Sequence, residues 1–271
     1  MSIKKLPYVF VVGNEKGGAG KTTCSMHLIV SLLEKNYKVS SIDVDCRQGS
    51  LTRYIENRER YNQQNPAIKV PMPYHIILKE SIEENKTQKY KEEKEYFEKL
   101  ISDIKSKSDF IVIDTPGSHS NLSSLAHSHA DTVITPINDS FIDIDVMAKI
   151  DGESFKVIGP SIYSQMIWEQ KLERAKRDQG SIDWVVMRNR LSSIDAQNKR
   201  NVAMVLDELA KRISFRQAPG FGERVIFREL FLQGLTLLDL TKSNYEKSFS
   251  LSHVAARQEL RDFLSSLKLD F

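Results

Sequence analysis

The chain has 271 residues, 40% of them hydrophobic and 28% charged, with a net charge of +3 at pH 7. That composition belongs to a globular protein with a sizeable core and excludes disordered, collagenous and disulfide-scaffold chains. The mild positive charge permits a polyanionic partner without requiring one, and no apolar run reaches the ~18 residues of a membrane-spanning helix.

Met1 to Leu6 carries two lysines but no apolar h-region. No secretory signal is expected there, and the cytoplasm is the expected compartment. The run Tyr8-Val9-Phe10-Val11-Val12 reads as a strand. It leads into G-N-E-K-G-G-A-G-K-T-T, Gly13 to Thr23, and then into a helical pattern with Met26, Ile29, Val30 and Leu33 on one face. Strand, glycine-rich turn and helix start form the context of a phosphate-binding loop. Glycines let backbone N–H groups turn inward around phosphate oxygens, and the helix start adds its positive dipole end. The predicted nucleotide-binding residues are therefore Gly17, Gly18, Ala19, Gly20, Lys21, Thr22 and Thr23. Lys21 supplies a point charge for the outer phosphates, and the Thr22 hydroxyl is a ligand for Mg²⁺. The loop departs from G-x-x-x-x-G-K-[ST] in one place, with Glu15 where glycine is usual and a second lysine, Lys16, after it. Cys24 and Cys46 lack CxxC spacing, which speaks against a zinc site or a disulfide.

Asn36 can end the first helix in the left-handed conformation. Lys38 to Val44 reads as a strand that closes on Asp43-Val44-Asp45. Carboxylates at a strand's carboxyl end either face a ligand, as in open α/β sheets, or cap the next turn. Leu51 to Asn62 is helical by its Leu51, Tyr54 and Ile55 face. A loop with Pro66, Pro71 and Pro73 follows, then a short strand, His75 to Leu78. Residues 79–107 carry eight lysines and eight acidic residues. The Phe97, Leu100, Ile101, Ile104 stripe marks a helix there whose other face is solvated. Phe110-Ile111-Val112-Ile113-Asp114-Thr115-Pro116-Gly117 reads as a strand buried on both faces. An acidic residue ending such a strand, in a chain with a phosphate loop, is the Walker B arrangement, so Asp114 is a predicted metal-holding residue. Gly117 brings a backbone N–H toward the terminal phosphate.

Ala130 to Ile137 is a further strand, and His127 and His129 beside it read as packing or surface residues. Gly159-Pro160 punctuates a long loop before a helix, Ser161 to Asp178, with Ile162, Met166 and Ile167 inward. Trp184 to Arg190 is a strand with a polar end. A helix from about Ser193 buries Val202, Val205, Leu206, Leu209 and Ile213. From Arg188 to Arg228 there are nine Lys or Arg against four Asp or Glu. Nonspecific DNA and plain solvent are both open readings of that surface, with Lys199, Arg200, Arg216 and Arg224 as the DNA-binding candidates. The last helix, Leu251 to Leu267, sets Ala256, Leu260, Phe263, Leu264 and Leu267 on one face. Glu259 and Asp262 offset its Arg257 and Arg261, so core packing is expected and a membrane anchor is not.

The loop K-G-G-x-G-K-T resembles the deviant phosphate loop of the ParA/MinD ATPases. The wider chain, through VVGNEKGGAGKTT, IDVDCRQ, IDTPG, DTVITPINDSFIDID, DWVVMRNRL, RVIFRELFLQGLTLLDL and AARQELR, resembles the MipZ family, ParA-related regulators of division-site placement. The resemblance implies an α/β fold with a mostly parallel twisted sheet flanked by helices, one P-loop ATPase domain over 1–271. It implies that Lys16 reaches across a dimer interface to the partner's nucleotide. Asp45 lies near the attacking water, Asp43 helps hold Mg²⁺ through water, and Asn189 meets adenine. It also implies slow ATP hydrolysis, an ATP-bound homodimer, nucleoid or polar location, a ParB-type partner and inhibition of FtsZ assembly. A ParA that partitions chromosome or plasmid DNA shares every one of these catalytic residues. A MinD-like membrane cycle is disfavoured by the last helix. A nitrogenase iron-protein type would need cluster-ligating cysteines that Cys24 and Cys46 do not provide. Amide-forming synthetases and a non-hydrolysing ATP-binding scaffold are the remaining rivals.

Overall fold

Strands and helices alternate through most of the chain, as the spacing of its apolar runs predicts. The computed structural model describes residues 6–45, 48–151, 157–191, 196–241 and 251–269. Among the described residues the order begins β1 (Tyr8–Val12), α1 (Lys21–Glu34), β2 (Val39–Asp43), α2 (Ser50–Gln64), β3 (Tyr74–Ile77), α3 (Lys86–Lys105) and β4 (Phe110–Asp114). It continues α4 (Asn121–His129), β5 (Thr132–Asn138), α5 (Phe141–Ile144), β6 (Ala148–Ile150), β7 (Val157–Pro160), α6 (Ile162–Asp178) and β8 (Asp183–Asn189). It closes with α7 (Ala196–Ile213), β9 (Arg216–Ala218), α8 (Ile226–Gln233) and α9 (Leu251–Ser266).

Seven strands form one sheet in the order β3-β2-β4-β1-β5-β8-β9. Every pairing in it is parallel. Side chains alternate across a strand, so β1 serves two cores. Val9 and Val11 face one layer, with Phe97 of α3, Leu122 of α4, Met166 of α6 and Leu206 of α7. Phe10 and Val12 face the other, with Ile29 of α1, Tyr54 of α2, Leu230 of α8 and Phe263 of α9. Both faces are covered, which is why β1 and β4 read as continuous apolar runs. The register sets Val12 beside Asp114 and Asp43 beside Asp114, so the motif residues of three strands end at one level.

Three local expectations change. Gly159-Pro160 does not lie in a long loop but ends β7, which pairs antiparallel with β6. Proline is tolerated there because a two-stranded ribbon leaves edge positions that need no ladder donor. Ile162 is 73% exposed rather than inward. Tyr163, three and four residues before Met166 and Ile167, takes the buried place. The helix α4 had no sequence expectation; its Ser120 cap accepts the Ser123 N–H. Asn36 does stop α1, at φ 63°. The α9 face packs into the core, with Ala256, Leu260, Phe263 and Leu267 buried. No helix among the described residues is long and apolar enough to cross a membrane. Cys46, Arg47 and the expected helix start at Ser193 lie outside the described residues.

The segment after α8 is tied to α2 by a fully buried ion pair. Arg58 donates from Nη1 and Nη2 to both carboxylate oxygens of Asp239 at 2.8 Å each. It also donates to the Pro71 and Gly234 carbonyls. Burial works to raise the Asp239 pKa, but the Arg58 and Thr236 contacts outweigh it and hold the carboxyl below its usual range. Arg58→Ala leaves that carboxylate buried without its cation and is expected to cost about 3–5 kcal/mol in urea unfolding. The paired change Arg58→Met with Asp239→Leu is expected to recover most of the loss, because it removes both charges together.

Candidate nucleotide-binding site

The loop between β1 and α1 is held rigidly from below. The Gly13 N–H donates to Ile134 carbonyl at 2.9 Å, and the Tyr163 hydroxyl donates to the Gly13 carbonyl at 2.8 Å. Asn14 donates from its side chain to the Pro136 carbonyl at 2.7 Å and accepts the Lys16 N–H at 2.9 Å. Gly20 sits at φ 91°, and a Cβ there would lie 2.0 Å from Asn189 Nδ2, so no other residue fits. Gly20 is also the N-cap of α1 and brings no side-chain acceptor. The first-turn N–H groups of α1 are thus left for an anion.

The two lysines point to different places. Lys21 Nζ lies across its own loop and donates to the Asn14 and Lys16 carbonyls at 3.0 and 2.9 Å. Burial lowers its pKa, against the pull of Asp114 and Asp45. Lys16 Nζ instead pairs with Asp143 Oδ2 at 2.7 Å.

Asp114 accepts hydrogen bonds from the Thr22 hydroxyl at 2.8 Å and the Ser25 hydroxyl at 3.0 Å. Burial, and then the neighbouring charge of Asp43, push its pKa up to about 7. Asp43 is fully buried. Its carboxylate accepts from the Thr52 N–H and hydroxyl and from the Asp45 N–H, so it also performs the turn-capping role that its position left open. Burial raises its pKa as well. Two neighbouring buried carboxylates with a threonine hydroxyl make a hard oxygen donor set, and the raised pKa of Asp114 marks a place where positive charge is favoured. The residues therefore fit Mg²⁺. Among the described residues no group of three or more His, Cys, Asp or Glu forms another metal cluster.

A cleft of about 300 Å³ opens above these groups, lined by Gly17 to Thr23, Asp45, Asp114, Gly117 and Arg190. Gly117 approaches the loop closely; a Cβ on it would lie 3.0 Å from the Gly17 nitrogen. An adjoining cavity of about 340 Å³ shares Gly20, Thr23, Arg190 and Phe231 with the cleft and adds Asn189, Phe227 and Leu232. One end offers N–H groups and Lys21 to an anion, and the other offers aromatic faces. The Asn189 amide donates to the Ala19 carbonyl at 2.7 Å and so locks the loop to β8. A separate cavity of about 420 Å³ between α6 and the end of α7, lined by Trp168 and Trp184, holds none of the motif residues.

Arg190, Phe227 and Phe231 were not singled out by sequence. Arg190 follows Asn189 at the end of β8, at φ 50°; the polar end of that strand was the available sequence signal. Phe227 and Phe231 arrive on α8, about 200 residues beyond the loop, inside the RVIFRELFLQGLTLLDL stretch, where no local pattern ties them to a nucleotide. His127 is a buried packing residue whose ring stands where a Gly13 side chain would be, and burial draws its pKa down to about 4. His129 packs edge-on against Phe97.

The DNA-binding candidates are not brought together. Arg216 pairs with Asp183 at 2.7 Å, at the start of β8. Arg224 pairs with Glu259 at 2.5 Å and lines the cavity beyond the other end of β8. Arg200 is exposed on α7, where Lys199 also lies, its side chain outside the described residues.

Comparison with known proteins adds the family. The family model described as ATPase MipZ matches residues 8–271. The chain belongs to the MipZ family. Solved structures with the same fold include an ATP complex of McdA from Cyanothece, 18% identical over 95% of this chain and 97% of that one, TM-score 0.58. Another is the septum site-determining protein MinD of Pyrococcus horikoshii with Mg-ADP, 17% identical over 98% and 100%, TM-score 0.57. A plasmid partition protein of Borrelia burgdorferi is 17% identical over 97% and 100%, TM-score 0.53. In sequence, the cytosolic Fe-S cluster assembly factor CFD1 of Kluyveromyces lactis is 32% identical over 74 residues, which is 27% of this chain and 26% of that protein. This chain is a MipZ-family ATPase with the fold of the ParA and MinD structures.

The buried Asp114 gives the family site a pH signature. Its folded pKa lies above the ordinary carboxylate value. The folded state therefore holds more protons than the unfolded chain between those two values, and its stability falls as pH rises through that window. Asp114→Asn, without nucleotide, is expected to stabilise the protein more at pH 8 than at pH 5.5, by about 2 kcal/mol in denaturant unfolding.

Proposed function

We propose that this protein is an ATP-driven dimerising switch that positions the cell-division site. ATP occupies the cleft over Gly17 to Thr23, with adenine toward Asn189, Phe227 and Phe231. Thr22, Asp114 and Asp43 would hold Mg²⁺, which neutralises phosphate charge when bound. Two protomers face each other, and Lys16 of each serves the other's nucleotide. Asp45 orients the attacking water, Gly117 offers its N–H to the terminal phosphate, and hydrolysis is slow. Loss of the γ-phosphate removes the bridge between protomers, and the dimer parts. The switch works through the differing affinities of the two states.

The observation that carries this reading is the divergence of the two lysines. Lys21 is committed to its own loop, while the Lys16 side chain leaves that loop and stays 31% exposed. A cation that completes a site from outside is worth roughly 10³–10⁵ in rate in related nucleotide hydrolases. In the dimer we assign nonspecific DNA binding to the surface around Lys199 and Arg200, with Arg216 and Arg224 as secondary contacts because each is already held by a carboxylate. A ParB-type protein and FtsZ are the proposed protein partners, with FtsZ assembly inhibited by the ATP dimer. A nucleoid-associated or polar position in the bacterial cytoplasm follows from those partners.

Light scattering with ADP, and with a slowly hydrolysed ATP analogue plus Mg²⁺, tests the switch. A monomer with ADP and a dimer with the analogue are expected. Lys16→Ala is expected to bind nucleotide and remain monomeric; a Lys16→Ala dimer sinks the reading. Asp45→Ala is expected to persist as the ATP dimer with turnover lost, and normal turnover would remove Asp45 from its role. DNA affinity measured by fluorescence anisotropy is expected to require ATP and to drop steeply with salt, as counterion release dictates. Lack of FtsZ inhibition by a DNA-bound dimer would instead favour a ParA-type partitioning ATPase.

A further inference from the structure

The contact that Lys16 makes is built, not incidental. Asp143 sits on the short α5 just after β5 and is 2% exposed. Its Oδ2 accepts from Lys16 Nζ at 2.7 Å and from the Ser140 hydroxyl at 2.7 Å, and its Oδ1 accepts the Asn138 N–H at 3.3 Å. The carboxylate is therefore fixed from its own side. The Lys16 backbone is fixed as well, by the Asn14 side chain. What remains adjustable is the four-carbon stem of Lys16, which joins a buried anion at one end to a partly open surface.

An ammonium so placed cannot neutralise another protomer's phosphates at full strength while a buried carboxylate holds it. A charge-assisted hydrogen bond of this kind is roughly twice as strong as a neutral one. When the lysine leaves, Asp143 keeps only the neutral donors Ser140 and Asn138, and burying a charge without its counter-charge is unfavourable. We propose that Asp143 is a positioning residue for Lys16 that retains its ammonium within its own protomer until a partner's nucleotide phosphates displace the carboxylate. This inference rests on the reading that Lys16 acts in trans. The exchange swaps one anion for another. A triphosphate carries more negative charge than a diphosphate, so it displaces the carboxylate more readily. The contact therefore sets a threshold that ATP crosses and ADP does not. Each dimer breaks two such contacts, one per protomer, so the threshold acts twice on one association step.

The test is the dissociation constant of the analogue-bound dimer, measured by sedimentation velocity on the full chain. Asp143→Asn is nearly isosteric, retains hydrogen bonding to Ser140 and loses the charge. It is expected to tighten the dimer about tenfold, or about 1.4 kcal/mol, with the monomer's affinity for a fluorescent nucleotide unchanged. Asp143→Glu, which restores a carboxylate, is expected to return the constant toward the wild-type value. Damage to the fold alone would weaken the dimer, so a gain separates the proposal from a structural role. Asp143→Ser is the second neutral variant if Asp143→Asn does not fold. A folded neutral variant with an unchanged or weaker dimer overturns the proposal. If Lys16→Ala still dimerises, the trans reading itself fails. If Lys16→Ala stays monomeric while the neutral Asp143 variants are unaltered, only the Asp143 inference falls.

Discussion

Parallel pairing between β2 and β4 puts Asp43 opposite Asp114, and the rest of the site is arranged around those two buried carboxylates. Burial raises the pKa of both, and the neighbouring charge of Asp43 raises that of Asp114 further. The protein offsets this with hydroxyls and, at Asp114, with the nearby charge of Lys21 as well. Thr22 and Ser25 serve Asp114, and Thr52 serves Asp43. Thr22 and Thr52 lie in the first turns of α1 and α2, and Ser25 begins the second turn of α1. An arrangement that costs stability sits where the chemistry needs it, at the carboxyl edge of the sheet beside the phosphate loop.

The loop itself divides its two lysines. Lys21 is folded back on the loop's carbonyls, close enough to serve the phosphates the loop would cradle. Lys16 is drawn sideways to Asp143, which belongs to the next strand-end along the sheet. One lysine is thereby internal to the site, and the other links the site to the protein's exterior. The loop's rigidity makes that division possible. Gly13 and Asn14 are tied to β5 and α6 through Ile134, Pro136 and Tyr163. A loop free to flex would not keep the two ammonium groups apart.

The far end of the cleft depends on the last third of the chain. Phe227 and Phe231 reach it on α8, whose exit turn is anchored on α2. Gly234 packs so closely on the Arg58 backbone that a Cβ would lie 2.0 Å from its nitrogen, at φ 69°. The Arg58–Asp239 pair completes that anchor, and the buried imidazole of His27 accepts the Leu237 N–H at 3.2 Å. Burial brings the His27 pKa down to about 4, so it stays a neutral acceptor near pH 7. The α9 face then covers the same layer, which accounts for its apolar stripe as core packing.

Much of this was legible in the chain. The apolar runs predicted β1, β4, β5 and β8 to within a few residues, because strands buried on both faces are largely apolar, and β2 was legible from its Asp43-Val44-Asp45 end. Gly13 to Thr23 and Asp114 were legible because a phosphate loop requires contiguous residues and a Walker B carboxylate must end a strand. Other features depend on contacts between distant segments, which local pattern does not encode. The β6–β7 ribbon has strands of only three and four residues, and α4 is rich in serine and histidine, so neither has a period that stands out. Arg216 and Arg224 read as one basic span, yet Arg216 pairs with Asp183 at the start of β8 and Arg224 with Glu259 on α9. Asp143 lies inside the DTVITPINDSFIDID stretch, but nothing in that stretch marks it as the partner of Lys16; only the fold brings α5 to the loop. The sequence by itself determined the strands, the glycine-rich loop and the carboxylate that ends β4, since each is written in consecutive residues under a strict steric or electrostatic demand. The tertiary structure decided which charges meet and which aromatics close the cleft, since those depend on how segments 50 to 200 residues apart are folded together.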